Sequence, residues 1–163
     1  MTRKTFTVLI SLIVALGGFL LGFDSAVISG ATPFYRETFG LNTGSMLIGF
    51  SVSSLILGAI IGNISAGKLA DHFGRRKVLM FTALLFTISA ISTALAVNIT
   101  SFLVARIIGG LGVGMAILVA PMYIAEIAPR ELRGKLVTFN QLNIVLGISI
   151  AYFSNYYFQQ TIA

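Results

Sequence analysis

The chain has 163 residues, of which 56% are hydrophobic and only 10% are charged, and its mean hydropathy is +0.96. A soluble domain carries about 25% charged residues, so this composition excludes a water-soluble globular protein and is typical of a membrane protein. The absence of cysteine excludes a disulfide framework and thiolate metal sites.

Five apolar segments are each long enough to cross a bilayer, which takes about 20 residues of helix. They are apolar on every face, as lipid-facing helices are. In chain order the predicted spans are Phe6 to Ser29, Ser45 to Ala66, Val78 to Val97, Ser101 to Ile124, and Leu136 to Phe158. The sequence therefore predicts an all-α membrane protein with five transmembrane helices.

The first span also has features of a signal peptide, because Arg3 and Lys4 precede its apolar run. The run from Phe6 to Phe23 is longer than the usual core of a signal peptide, and apolar residues resume after Asp24. We therefore favour a retained helix.

Lys and Arg residues indicate the orientation, because short cytoplasmic loops collect positive charge. Of the eleven such residues, only Arg36 and Arg106 lie outside three groups on one side of the predicted membrane. The groups are Arg3 and Lys4; Lys68, Arg75, Arg76 and Lys77; and Arg130, Arg133 and Lys135. The amino terminus is thus expected in the cytoplasm and the carboxyl terminus outside. Topology also explains the net charge of +6 without a nucleic-acid partner.

Asp24 lies within the first apolar span, where a carboxylate costs about 2.5 to 3.5 kcal/mol on insertion scales. Arg106 enters the fourth span from the same side by roughly 7 Å at the helical rise, and Asp24 is expected to lie at a similar depth. An acid and a base at matching depth can neutralise one another. The pair is consistent either with a functional role or with a permanent ion pair that only fixes helix packing.

The segment between the second and third spans reads GKLADHFGRRK, from Gly67 to Lys77. Gly74 permits a tight turn, and Asp71 can cap the third helix or hold a nearby helix end. This string resembles the signature loop of the major facilitator superfamily, where it acts as a cytoplasmic latch between helices. His72 stands where Arg or Lys is commoner in that family, and a lone histidine with no metal spacing is most simply solvated.

A second resemblance narrows the superfamily to its sugar porter family. Seven residues match the signature that runs from the fourth helix into the following loop: Ile108, Gly110, Leu111, Gly114, Tyr123, Glu126 and Arg133. The first span carries GFDSAVISG, from Gly22 to Gly30, which is similar to a segment of the same family. The chain thus resembles bacterial proton-coupled sugar symporters of the xylose, arabinose and galactose type.

Members of this family have twelve helices in two six-helix halves built from inverted repeats. The resemblance implies that residues 1–163 are the incomplete amino-terminal half, with helices 1 to 5, and that helix 6 and the second half lie outside this sequence. The implied partners are therefore a monosaccharide, either a hexose or a pentose, a proton, the lipid bilayer and the carboxyl-terminal half. No cofactor, metal or nucleic acid is implied.

The resemblance also implies roles for particular residues. Asp24 and Arg106 match the acid and the arginine that exchange an ion pair for a proton, while facilitative relatives have a neutral residue at the acid position. Gln141 matches a helix-5 glutamine that binds the sugar, whereas Asn140 and Asn143 better suit hydrogen bonds between helices. The expected cytoplasmic gate consists of Gly67, Asp71, Gly74, Arg75, Arg76, Glu126 and Arg133. The alternative for these charges is a solvated surface, where pairs contribute about 0 to 1 kcal/mol.

The leading hypothesis is transport of a monosaccharide across the inner (plasma) membrane by proton symport with alternating access, within a longer transporter. Two alternatives stay open: a facilitative sugar uniporter, and a truncated, non-transporting membrane polypeptide that is a gene fragment or an assembly module. An enzyme is not expected, because the sequence has no nucleophile with a base, no phosphate loop and no metal cluster.

Overall fold

The computed structural model describes residues 3–42 and 46–162. Within these residues the chain forms five helices and no strand: α1 (Arg3–Thr38), α2 (Met46–Phe73), α3 (Arg75–Ala94), α4 (Ile99–Ile127) and α5 (Arg133–Ile162). All five are long and apolar enough to cross a membrane. The five predicted spans are confirmed as helices, and Ser45, where the second was predicted to begin, lies outside the described residues.

Four of the five helices are longer than predicted, because polar residues at the end of an apolar run often continue the helix. α1 continues to Thr38, although the predicted span ended at Ser29. α4 begins at Ile99 rather than Ser101, because Asn98 and Ser101 form a reciprocal capping box. α4 ends at Ile127 rather than Ile124, and α5 is Arg133–Ile162 where Leu136 to Phe158 was predicted. α3 keeps its predicted length but is Arg75–Ala94 rather than Val78 to Val97, so both of its ends lie three residues earlier.

The predicted loop between the second and third spans is mostly helical. α2 continues past Ala66 to Phe73, so His72 lies in its last turn. The turn is confined to Gly74, whose φ of 87° is in the left-handed region that favours glycine. The prediction that Asp71 caps α3 is wrong, since Gly74 is the N-cap residue and no side chain caps that end.

Helix packing divides the bundle into two groups. α2 and α3 pack extensively along α4, and α1 packs along α5, while the contact between the groups is thinner. Gly58 of α2 and Gly110 of α4 face each other, which lets their backbones approach closely. In the same way, Gly22 of α1 and Gly147 of α5 let the backbones of these two helices approach closely. α4 is the central helix, with most of its length buried.

Large apolar side chains cover much of the outer surface. Ile13 of α1, Ile64 of α2 and Phe153 of α5 are more than half exposed, and many similar residues surround them. Such extensive apolar exposure is unfavourable in water but suits contact with lipid. Together with the helix lengths, it makes the chain a multi-pass membrane protein.

Candidate functional site

An ion pair connects α1 and α4 inside the bundle. Nη1 of Arg106 is 3.1 Å from Oδ1 of Asp24, and it donates a hydrogen bond to that oxygen. The Arg106 side chain is 4% exposed and the Asp24 side chain is 32% exposed. The pair predicted from the two apolar spans is therefore present as a contact.

The ion pair is held by one hydrogen bond rather than by a bidentate contact. Oδ2 of Asp24 and both Nε and Nη2 of Arg106 are buried without a hydrogen-bond partner in the described part of the chain. A proton added to Oδ2 would therefore displace no existing hydrogen bond. Charge-assisted bonds are strongest when they are bidentate, so this geometry can be broken more readily than a forked one.

A cavity of about 1460 Å³ lies between α1, α3, α4 and α5 and reaches Leu21, about one helical turn before Asp24, but neither Asp24 nor Arg106 lines it. Its wall is mainly aliphatic and aromatic, with a small number of polar groups, as is usual where a small molecule binds. Gln141 of α5 is exposed on this wall. Tyr123 of α4, one of the signature residues, also lines it, as do Thr82 and Thr87 of α3, which the sequence did not single out.

The two asparagines beside Gln141 differ in their contacts. Nδ2 of Asn143 donates to the Ala15 carbonyl at 3.1 Å, which is the hydrogen bond between helices expected for it. Asn140 is also buried and lies against Gly18 of α1, but its Oδ1 has no hydrogen-bond partner in the described structure. Gln141 is thus the amide of the three that the cavity leaves most accessible.

Three of the predicted cytoplasmic gate residues form one cluster. Arg75, at the start of α3, forms ion pairs with Asp71 of α2 at 3.1 Å and with Glu126 of α4 at 2.9 Å. Its Nη1 also donates to the Ala70 carbonyl at the end of α2. Arg75 therefore connects the ends of three helices.

The remaining gate residues stand apart from this cluster. Arg76 is exposed and lines part of the cavity. Arg133 is exposed at the start of α5 and forms no ion pair with the residues described. Gly67 lies within α2 with open space beside its Cα, and Gly74 forms the turn. His72 is exposed, and its ring forms a T-shaped contact with the Phe73 ring.

One polar link escaped the sequence reasoning. The Tyr35 hydroxyl of α1 and Oγ of Ser51 of α2 are 2.5 Å apart in a buried hydrogen bond. The Tyr35 ring packs against Phe102 of α4 with centroids 5.1 Å apart. The sequence did contain two polar residues that could have suggested it, because Tyr35 follows the first apolar span and Ser51 lies inside the second.

These features define a class of protein: a multi-pass helical membrane protein with an ion pair inside its bundle and a large cavity carrying few polar groups, as in membrane transporters. Comparison with known proteins identifies the family. The family model for "Sugar (and other) transporter" matches residues 10–163. The chain belongs to this family, the sugar porters of the major facilitator superfamily.

Two relatives illustrate the similarity. The chain is 47% identical over 150 residues to the arabinose-proton symporter of Bacillus subtilis, covering 92% of this chain and 32% of the relative. It is 48% identical over 152 residues to the glucose transport protein of Synechocystis sp., covering 93% of this chain and 32% of that relative. The chain thus spans about a third of the length of the curated relatives it matches.

Solved structures of similar sequence have the same fold. The proton:xylose symporter XylE bound to 6-bromo-6-deoxy-D-glucose superposes with a TM-score of 0.85 at 38% identity, covering 97% of this chain and 38% of that one. The inward open conformation of XylE from E. coli gives a TM-score of 0.83 at 40% identity, covering 91% of this chain and 39% of that one. The five helices therefore correspond to part of a major facilitator transporter.

Proposed function

We propose that this chain is part of a proton-coupled monosaccharide transporter that works by alternating access. The observation that carries the proposal is the ion pair between Asp24 and Arg106, in a bundle that also encloses a cavity lined in part by Gln141. The names of relatives support it, because they include arabinose-proton and D-xylose-proton symporters. No bond of the sugar is made or broken in this process, so the proposed protein is not an enzyme.

Asp24 is the proposed proton-binding group, and Arg106 is the cation that competes with the proton. While the two side chains are in contact, the positive charge of Arg106 favours the carboxylate. When α1 moves away from α4, a buried carboxylate without a cation favours the protonated acid instead. Helix movement therefore exchanges an ion pair for a bound proton. The single hydrogen bond between the two groups suits a contact that must break in every cycle.

Gln141 is the proposed sugar-binding residue of this chain. Its amide offers two N–H donors and one carbonyl acceptor, which is the combination that sugar hydroxyls require. The apolar wall around it excludes competing water, so each hydrogen bond formed there contributes to selectivity. The expected substrate class is a hexose or a pentose.

The Arg75 cluster is proposed as the cytoplasmic gate, with the amino terminus in the cytoplasm and the end of α5 outside. The distribution of Lys and Arg supports this orientation. Because Arg75 binds both Asp71 and Glu126, it can hold the ends of α2, α3 and α4 together at the cytoplasmic end of the bundle. Arg76 and Arg133 are expected to act in the same gate through partners beyond the helices described.

The proposed domain assignment is that residues 1–163 belong to the amino-terminal six-helix half of a twelve-helix transporter. The relatives are about three times as long as the matched region, which supports this assignment. The rest of the fold is then the partner against which α1 and α4 move, and it would complete the sugar site.

The test uses the full product of the gene that encodes this chain, expressed in cells without their own uptake of the sugar. We expect Asp24→Asn to abolish proton-driven accumulation of arabinose, xylose or glucose while sparing counterflow, because only the proton step is lost. Glu37→Gln is the matched control, since Glu37 is an exposed acid on the same helix. Uphill accumulation by Asp24→Asn would refute the assignment. Counterflow without accumulation by the unmodified protein would instead support a facilitative uniporter.

A further inference from the structure

We propose that Tyr35 is a positioning residue for the proton-binding pair, acting through its hydrogen bond to Ser51. This inference rests on the proposed function of Asp24 and Arg106. It assigns a task to a buried tyrosine, 7% exposed, at the end of the bundle where α1 ends and α2 and α4 begin.

The direction of the Tyr35 hydrogen bond follows from counting hydroxyl protons. Two hydroxyl groups lie near that of Tyr35, those of Ser51 and Thr32. The Ser51 hydroxyl donates to the Ile48 carbonyl at 2.7 Å, and the Thr32 hydroxyl donates to the Ile28 carbonyl at 2.8 Å. Both protons are thereby used, so the Tyr35 hydroxyl is the donor to Oγ of Ser51. Tyr35 is therefore the side chain that makes the link, and phenylalanine cannot replace it.

The link joins the two helix groups of the bundle. Ser51 lies on α2, which packs closely along α4, whereas Tyr35 lies on α1, which packs along α5. The ion pair between Asp24 and Arg106 is another polar connection between these groups. Because the apolar contact between α1 and α4 is limited, polar links have a large share in setting their distance.

Tyr35 and Asp24 are on the same side of α1. Asp24, Ile28 and Tyr35 follow one another at intervals of four and seven residues, which places them on one helix face. Phe102 and Arg106 share a face of α4 in the same way. Ile28, Tyr35 and Phe102 form one buried cluster, and the ion pair lies directly along the same interface.

It follows that the Tyr35 hydrogen bond holds the face of α1 that carries Asp24 against α4. Loss of the hydroxyl would let α1 move from α4 more easily, and the single hydrogen bond between Arg106 and Asp24 would be broken for a larger fraction of the time. Asp24 faces Arg106 as its charged neighbour, and the electrostatic neighbours of Arg106 are Asp24 and the Tyr35 phenol.

The test measures the pH dependence of sugar uptake by the full gene product. We expect Tyr35→Phe and Ser51→Ala each to move the midpoint of proton-driven uptake to higher pH by about half a unit to one unit, the range that loss of one hydrogen bond allows. The double variant should shift the midpoint no further, because both changes remove the same bond. Tyr157→Phe and Ser53→Ala are matched controls at exposed positions and should leave the midpoint unchanged.

Two outcomes separate this inference from the function on which it rests. A pH midpoint that is unchanged in Tyr35→Phe, with normal pH-dependent uptake by the unmodified protein, overturns the positioning role and leaves the proton site intact. Absence of pH-dependent uptake in the unmodified protein overturns the proposed function itself. Lower maximal uptake without a shifted midpoint, in protein of normal abundance, assigns Tyr35 a purely structural role and also contradicts the inference.

Discussion

Gly58→Ala should destabilise the protein strongly, because its added methyl group has no room. A Cβ at this position would lie 2.9 Å from Cα of Gly110 and closer still to the Ile107 carbonyl, and both obstacles are backbone atoms. Carbon atoms prefer a separation of about 3.5 to 4.0 Å, so α2 and α4 would have to separate by roughly 1 Å. A gap of that size loses a quarter to a half of the dispersion energy of each affected contact.

The expected cost is at the upper end of the range for overpacking, about 3 kcal/mol, since backbone atoms cannot move aside as side chains do. This corresponds to roughly a hundredfold in the ratio of folded to unfolded protein. The measurement is the thermal midpoint of the full gene product in detergent, followed by size-exclusion chromatography of the heated samples.

Gly49→Ala is the matched control, because Gly49 also lies in α2 and an added Cβ would contact nothing within 4 Å. In a helix this change should be neutral or slightly stabilising, by up to about 1 kcal/mol. If Gly58→Ala had the same thermal midpoint as Gly49→Ala, close packing of α2 on α4 would not be a source of stability, and the reasoning would be wrong.

The other predictions concern the cavity, the gate and the orientation. We expect Gln141→Ala to raise the KM for sugar about tenfold through loss of one or two hydrogen bonds. Gln159→Ala, at an exposed position on the same helix, should leave the KM unchanged, and an equal rise in both variants would contradict sugar binding by Gln141. Arg75→Gln should make residues that line the cavity easier to label chemically from the cytoplasm, because the ion pair with Glu126 is lost. An unchanged rate of labelling would contradict a gating role for Arg75. In this cysteine-free chain, Lys77→Cys should react with impermeant reagents only from the cytoplasm and Glu37→Cys only from outside; the reverse pattern would refute the orientation.

The ion pair was predicted from the sequence, but the argument about depth was inaccurate. Asp24 was expected near the end of its helix, whereas α1 continues for about 21 Å beyond it at the helical rise. Arg106 lies only about 10 Å into α4. The two residues still meet because α1 extends past the beginning of α4. A hydropathy window marks where residues are apolar, and helical hydrogen bonds continue beyond it.

The helix neighbours could not be read from the sequence to the same degree. Gly58 and Gly62 of α2 stand four residues apart, a spacing of small residues that permits close packing, and the structure pairs Gly58 with Gly110 of α4. Nothing in the spacing indicated that α1 would pack on α5, because small residues show that a face can be approached closely but not by which helix. The contact between Tyr35 and Ser51 likewise depends on how α1 lies against α2, and the two polar residues alone did not show that they would meet.

The cluster around Arg75 was predicted more accurately in its members than in its geometry. Asp71 and Glu126 were both expected near Arg75, and both form ion pairs with it. Arg133 was expected in the same network but lies apart in the described structure, at the beginning of α5. Charge alone favours many pairings on a solvated surface, and the helix ends decide which of them form.

The most direct test of proton coupling by Asp24 is the pH change that accompanies sugar uptake. Sugar is added to energy-depleted cells that express the full gene product in a weakly buffered medium. The unmodified protein should cause a transient rise in external pH, because each sugar enters with a proton. Asp24→Asn should admit sugar down its gradient with no such rise. A rise in external pH with Asp24→Asn as large as with the unmodified protein would contradict the account.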